Sequence, residues 1–109
     1  IPRDPYLTLL VRFRAELLRC KCVVILGYSF GDDHVNTILL DALRKRPTLH
    51  CVIANRKKDA DEYLPRTFRE EIAIERFHNI GEVNAALEQD ILLQKVKEVC
   101  DRPAEEQPF

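Results

Sequence analysis

The segment Gly27-Tyr28-Ser29-Phe30-Gly31-Asp32-Asp33-His34-Val35-Asn36 gathers residue types that chemistry needs. A glycine at position 27 allows a sharp turn or a close approach of backbone to a ligand. Ser29 offers a hydroxyl near a helix start, suited to a phosphate or ribose oxygen; taken alone, satisfying its own turn is the favoured explanation. Asp32 and Asp33 argue against phosphate, because carboxylates at a helix N-terminus already occupy its positive end and repel a pyrophosphate beside them. They suit hydroxyl or ribose contacts, or capping. His34 next to two aspartates invites a catalytic or metal role, but Asp-Asp-His-x-x-Asn matches no metal-ligand spacing, so a capping or solvent-facing histidine is expected. His50 and His78 have no visible partner in the sequence. There is no Gly-x-Ser-x-Gly nucleophile elbow, no Gly-x-Gly-x-x-Gly and no P-loop. Cys20, Cys22, Cys51 and Cys100 include no Cys-x-x-Cys pair, so no structural zinc is expected. Cys20 and Cys22 alternate toward one side of an extended segment, and buried free thiols are the expected state.

Positioning these residues calls for an α/β scaffold. Tyr6, Leu9, Leu10, Phe13, Leu17 and Leu18 recur at three- and four-residue spacing and predict a helix through about Leu18, opened by Pro5 with Asp4 as its cap. Cys22-Val23-Val24-Ile25-Leu26 is an unbroken apolar run, which predicts a strand covered on both faces and therefore a central parallel strand. Val35, Ile38, Leu39, Ala42 and Leu43 predict a helix lying on the sheet, capped by Asp32 or Asp33 and stopped by Pro47. Residues 49–54 form a second buried strand, and the three elements make a right-handed βαβ unit. Residues 59–72 read as helical with an interruption at Pro65, and residues 74–77 as a brief third strand. Val83, Ala86, Leu87, Ile91, Leu92, Val96 and Val99 predict one long helix from Glu82, followed by a disordered tail over residues 101–109. In an open parallel sheet, ligands bind outside the carboxyl ends of the strands. Gly27-Tyr28-Ser29, Asn55-Arg56 and His78-Asn79-Ile80-Gly81 all fall there.

The bulk numbers exclude several classes. With 17 basic and 18 acidic residues, the net charge of −1 supplies no field for nucleic acid or an anionic membrane. Arg44-Lys45-Arg46 and Arg56-Lys57-Lys58 read as solvated clusters, and nucleic acid binding is not expected. No apolar run approaches the ~20 residues a bilayer requires, and no secretory leader is visible. A soluble cytoplasmic protein without membrane contact is expected. The chain begins at Ile1 and contains no methionine, which suggests a processed product or a piece of something longer.

The stretch from Val23 to Asn36 resembles a hallmark of sirtuin-like domains, divergent relatives of sirtuin deacylases that include NAD-cleaving enzymes of bacterial antiviral defence. The shared pattern is an apolar strand, then Gly-Tyr-Ser-Phe/Leu-x-Asp, then a helix. Cys51-Val52-Ile53-Ala54-Asn55 resembles the sirtuin strand whose terminal Asn meets the adenine ribose, and Ile80-Gly81-Glu82-Val83 the segment whose backbone lies against adenine. The resemblance spans about residues 17–92 and is strongest over residues 22–55. Tyr28 stands where classical sirtuins carry Thr, which favours the divergent branch.

The resemblance implies an α/β fold: a partial Rossmann-like, sirtuin-type domain with a three-stranded parallel sheet flanked by helices. Residues 1–100 would be the C-terminal half of that domain. Gly27, Tyr28, Ser29, Asn55, Arg56, Ile80 and Gly81 would face the adenosine side of NAD, with no metal. The family's Gly-Ala-Gly pyrophosphate loop and its catalytic Asn/Asp and His have no counterpart in this chain, and His34 does not match that histidine. The implied function is the adenosine-binding part of an NAD hydrolase, inactive by itself. The alternatives are a non-catalytic sensor of NAD or ADP-ribose, an oligomerisation module of a larger effector, or a small independent α/β protein whose Gly-Tyr-Ser loop is structural. The expected partners are the rest of the sirtuin-like domain and further copies of the chain.

Overall fold

A computed structural model of the chain describes residues 5–88 and 90–101. The expected cap Asp4 and residues 102–109 of the expected tail lie outside the described residues. In chain order the elements are α1 (Pro5–Leu17), β1 (Cys22–Leu26), α2 (Asp33–Lys45), β2 (His50–Ala54), α3 (Ala60–Tyr63), α4 (Arg66–Glu71), a 3-10 turn (Ile74–Arg76), β3 (Phe77–Asn79), α5 (Val83–Glu88) and α6 (Ile91–Cys100). The strands form one parallel sheet in the order β1-β2-β3, with Val24 opposite Val52 and Val52 opposite His78. This is the expected α/β architecture. No helix among the described residues is long and apolar enough to cross a membrane.

Strand alternation divides the apolar residues between two layers. Val23, Ile25, Cys51, Ile53 and Phe77 pack with Leu39 and Leu43 of α2 and with Tyr63, Leu64, Phe68 and Ile72 around α3 and α4. Leu43, Leu49 and Phe68 are almost wholly buried, each contributing roughly 1.5–3 kcal/mol. Val52 and Ala54 point to the opposite face, where α5 and α6 bury Ala86 and Val99. β2 is thus the strand enclosed on both sides.

Four expectations change. β1 is an edge strand and not a central one, and its Val24 and Leu26 are 41% and 40% exposed. In α1 only Leu17 is buried, with Leu10 and Phe13 partly so, while Tyr6 and Leu9 are exposed, as is Leu18 just beyond its end; the periodic face is covered only in part. The third strand lies at Phe77–Asn79, one turn later than its apolar signal, because Ile74–Arg76 winds into a 3-10 turn that delivers Phe77 opposite Cys51. The long final helix is two helices, with Asp90 left-handed at φ 55° between them. A continuous helix from Glu82 to Val99 would be 18 residues and about 27 Å long, longer than the ~17 Å of a five-residue strand beneath it.

The same-side reading of Cys20 and Cys22 also fails. Cys20 packs against the α2 layer and Cys22 meets Cys100 of α6, because regular strand geometry begins only at Cys22.

Candidate functional site

Leu26 hands the chain to Gly27, whose φ of +69° is a conformation that residues with a Cβ adopt only under strain. Tyr28 then turns inward. Its ring meets that of Phe30 at 5.0 Å, tilted by 47°, and Phe30 meets Phe68 edge-on at 5.7 Å. The Tyr28 hydroxyl donates to Asn36 Oδ1 (2.7 Å) and accepts from the Asp32 N–H (3.1 Å). Asn36 Nδ2 donates in turn to the Phe30 carbonyl at 2.9 Å, which holds Phe30 at its unusual φ of 62°. Burial pushes the Tyr28 phenol above its ordinary value of 10.0, so the hydroxyl stays protonated across the neutral range.

Asp32, one of the two candidate caps, is the one that caps α2. Its Oδ1 accepts from the N–H groups of His34 (2.9 Å) and Val35 (3.1 Å), while Oδ2 accepts from the Tyr6 hydroxyl. Those hydrogen bonds, with that of Tyr6 the largest, hold the carboxyl below its usual range. His34 is exposed, its ring edge-on to Tyr6 at 6.4 Å. Among the described residues no three His, Cys, Asp or Glu side chains converge as metal ligands.

At the carboxyl ends of the strands lies a cleft of about 240 Å3, walled by Gly27-Tyr28-Ser29, by Ala54-Asn55-Arg56 and by Glu82-Val83. Ligand pockets for whole small molecules run roughly 300–1,000 Å3, so this one suits part of a larger ligand. Ser29 is exposed and its hydroxyl makes no hydrogen bond among the described residues. Arg56 is likewise exposed and in no ion pair among them. Asn55 accepts the Lys57 N–H on Oδ1 at 2.9 Å, an Asx turn that aims the loop outward.

Of the sequence candidates, Gly27, Tyr28, Ser29, Asn55 and Arg56 come together here. Ile80 and Gly81 do not wall the cleft. Ile80 N–H donates to the Ile53 carbonyl at 2.8 Å, extending the sheet ladder, and Gly81 turns the chain at φ +93° so that Glu82 and Val83 reach the cleft instead. Glu82 accepts from the Asn84 and Ala85 N–H groups at 3.1 and 3.2 Å, capping α5. α2 and α5 therefore each carry a carboxylate of the chain at their positive ends.

Asn79, expected at this edge but not among the residues expected to face adenosine, builds the rim. Its Oδ1 accepts from Asn55 N–H (3.1 Å) and Gly81 N–H (3.0 Å), and its Nδ2 donates to the Lys57 carbonyl (2.8 Å). One side chain thereby joins two walls. The signal available in the sequence was an Asn two residues before a Gly, the pattern of an Asx turn.

No curated protein and no solved structure gives a significant match to the chain. The family model described as the SIR2-like domain matches residues 3–77, taking in α1 through the first residue of β3 and two of the three cleft walls. The Ile80–Val83 part of the sirtuin resemblance falls beyond that match. With most of its length covered and a parallel α/β sheet consistent with part of a Rossmann-type domain, the chain belongs to the SIR2-like family.

Proposed function

We propose that the cleft binds the adenosine side of NAD, and that the chain serves in this way as part of a sirtuin-like NAD hydrolase without catalysing the cleavage itself. The observation that carries this reading is the cleft itself. It brings a glycine backbone, a free serine hydroxyl, an arginine and an acidic cap together at the carboxyl edge of a parallel sheet. Membership of a family that includes NAD-consuming enzymes supports NAD as the ligand. The chemistry favours the sugar and base over the phosphates. Asp32 and Glu82 already hold the helix N-termini where a pyrophosphate would sit, whereas neutral ribose hydroxyls accept from Ser29 or donate to Glu82 without charge repulsion. Its volume fits a nucleoside better than a dinucleotide.

Isothermal titration of the full chain tests the reading. ADP-ribose and AMP are expected to bind saturably, nicotinamide mononucleotide is not, and NAD left with the chain is not converted to nicotinamide. Ser29→Ala is expected to weaken ADP-ribose binding about fivefold, equivalent to one hydrogen bond of about 1 kcal/mol. Null titrations for every nucleotide would leave the loop a purely structural feature, and release of nicotinamide would overturn the non-catalytic assignment.

A further inference from the structure

At the other end of the sheet from the cleft, two thiols meet. Cys22 opens β1 and Cys100 closes α6, and their sulfurs lie 3.6 Å apart although the residues are 78 positions apart in sequence. Both are partly exposed, unlike Cys51, which is wholly buried with its thiol pushed up to about 12 by burial. Cys20 is placed differently, its sulfur 3.9 Å from both the Leu17 carbonyl and the Arg46 guanidinium. We propose that Cys22 and Cys100 are a dithiol site that closes into a disulfide when the protein meets a low-molecular-weight disulfide, fixing α6 to the start of the edge strand.

The contact distance is 3.6 Å and a disulfide needs about 2.05 Å, a gap of about 1.5 Å. Side-chain rotation and a small shift of the last turn of α6 cover it. The chemistry balances. One protein thiolate attacks the small disulfide, forming a mixed disulfide and releasing one small thiol. The second protein thiolate then attacks the protein sulfur of that mixed bond and expels the other small thiol. Two electrons leave the protein dithiol, and its two protons end on the released thiols. Burial and the contact with Cys100 push the Cys22 thiol up to about 11, so near neutral pH little of it is thiolate and exchange is slow.

The test uses the full chain, reduced, desalted and incubated with oxidised glutathione at mildly alkaline pH. It is then alkylated and digested with trypsin, which cuts after Arg19 and Lys21 and so puts Cys20 and Cys22 on different peptides. The expected product is monomeric chain lighter by two hydrogens, with the Cys22 peptide linked to the Cys100 peptide. Its Tm is expected to rise by about 5 °C or more, reversibly with dithiothreitol, since the bond closes a long loop. Cys20→Ser should form the same link, and Cys100→Ser should stop at glutathione adducts with no rise in Tm. Links only between chains, a link through Cys20, or persistent glutathione adducts on Cys22 and Cys100 would each overturn the proposal.

Discussion

Tyr28 lines the cleft, but its hydroxyl is committed elsewhere: it joins the loop to α2 through Asn36 and the Asp32 backbone. Losing it strands a part-buried amide and a backbone N–H at once. Tyr28→Phe is therefore expected to cost about 1–2 kcal/mol in urea denaturation while changing ADP-ribose affinity less than Ser29→Ala does. A loss of affinity at Tyr28 larger than at Ser29 would make the hydroxyl a ligand contact. This division of labour was only partly visible in the residues. The position of Gly27, Ser29, Asn55 and Arg56 on the cleft wall was legible because each lies within three residues of the end of an apolar run, which fixes its place at the sheet edge. The roles of Asn36 and Asn79 were not. Each depends on which backbone groups lie beside its amide after folding, and an isolated asparagine carries no periodicity to announce that.

Among the elements, the join between α2, β2 and β3 rests on Arg76. From the 3-10 turn its guanidinium donates to the carbonyls of Leu43 (2.8 Å), Arg46 (2.7 Å) and Leu49 (3.0 Å), satisfying the C-terminal end of α2 and the approach to β2. Burial works against its charge, and three aligned acceptors offset that. Arg76→Ala is expected to destabilise the chain by about 2–3 kcal/mol, and Arg76→Lys by an intermediate amount, because an ammonium lacks the fork that reaches three carbonyls. Equal urea midpoints for Lys and Arg would show that charge alone suffices. The same region explains where pattern reading stops. β2 and α2 were legible, the first as a continuous apolar run and the second by its 3.6-residue repeat. β3 carries His78 and Asn79, whose polarity hides a strand, because their partners are the His50 ring at 2.9 Å and the cleft rim. The break at Asp90 was hidden too: apolar spacing continues across it, and no glycine or proline marks the turn.

For the molecule as a whole, the uneven covering of the sheet has a consequence in solution. β1 is hydrogen-bonded along one side only among the described residues, and an apolar groove of about 220 Å3 runs along it, lined by Phe13, Val24, Leu26 and Val35 among others. An edge with free backbone groups and exposed apolar side chains is a template for another strand. In a solution of this chain alone, the β1 of a second copy is one strand that can pair with it. The exposed Leu7, Leu9 and Val11 of α1 add apolar surface to the same molecule. Sedimentation velocity is therefore expected to show self-association that grows with protein concentration and changes little with salt, since apolar burial and backbone pairing are poorly screened. Val24→Lys places a charge on the uncovered face of the edge strand and is expected to return the chain to monomer while leaving its far-UV circular dichroism unchanged. Sedimentation as a single monomeric species at every concentration would mean that the edge is protected by its own twist and shortness, and that the exposed apolar residues do not drive pairing.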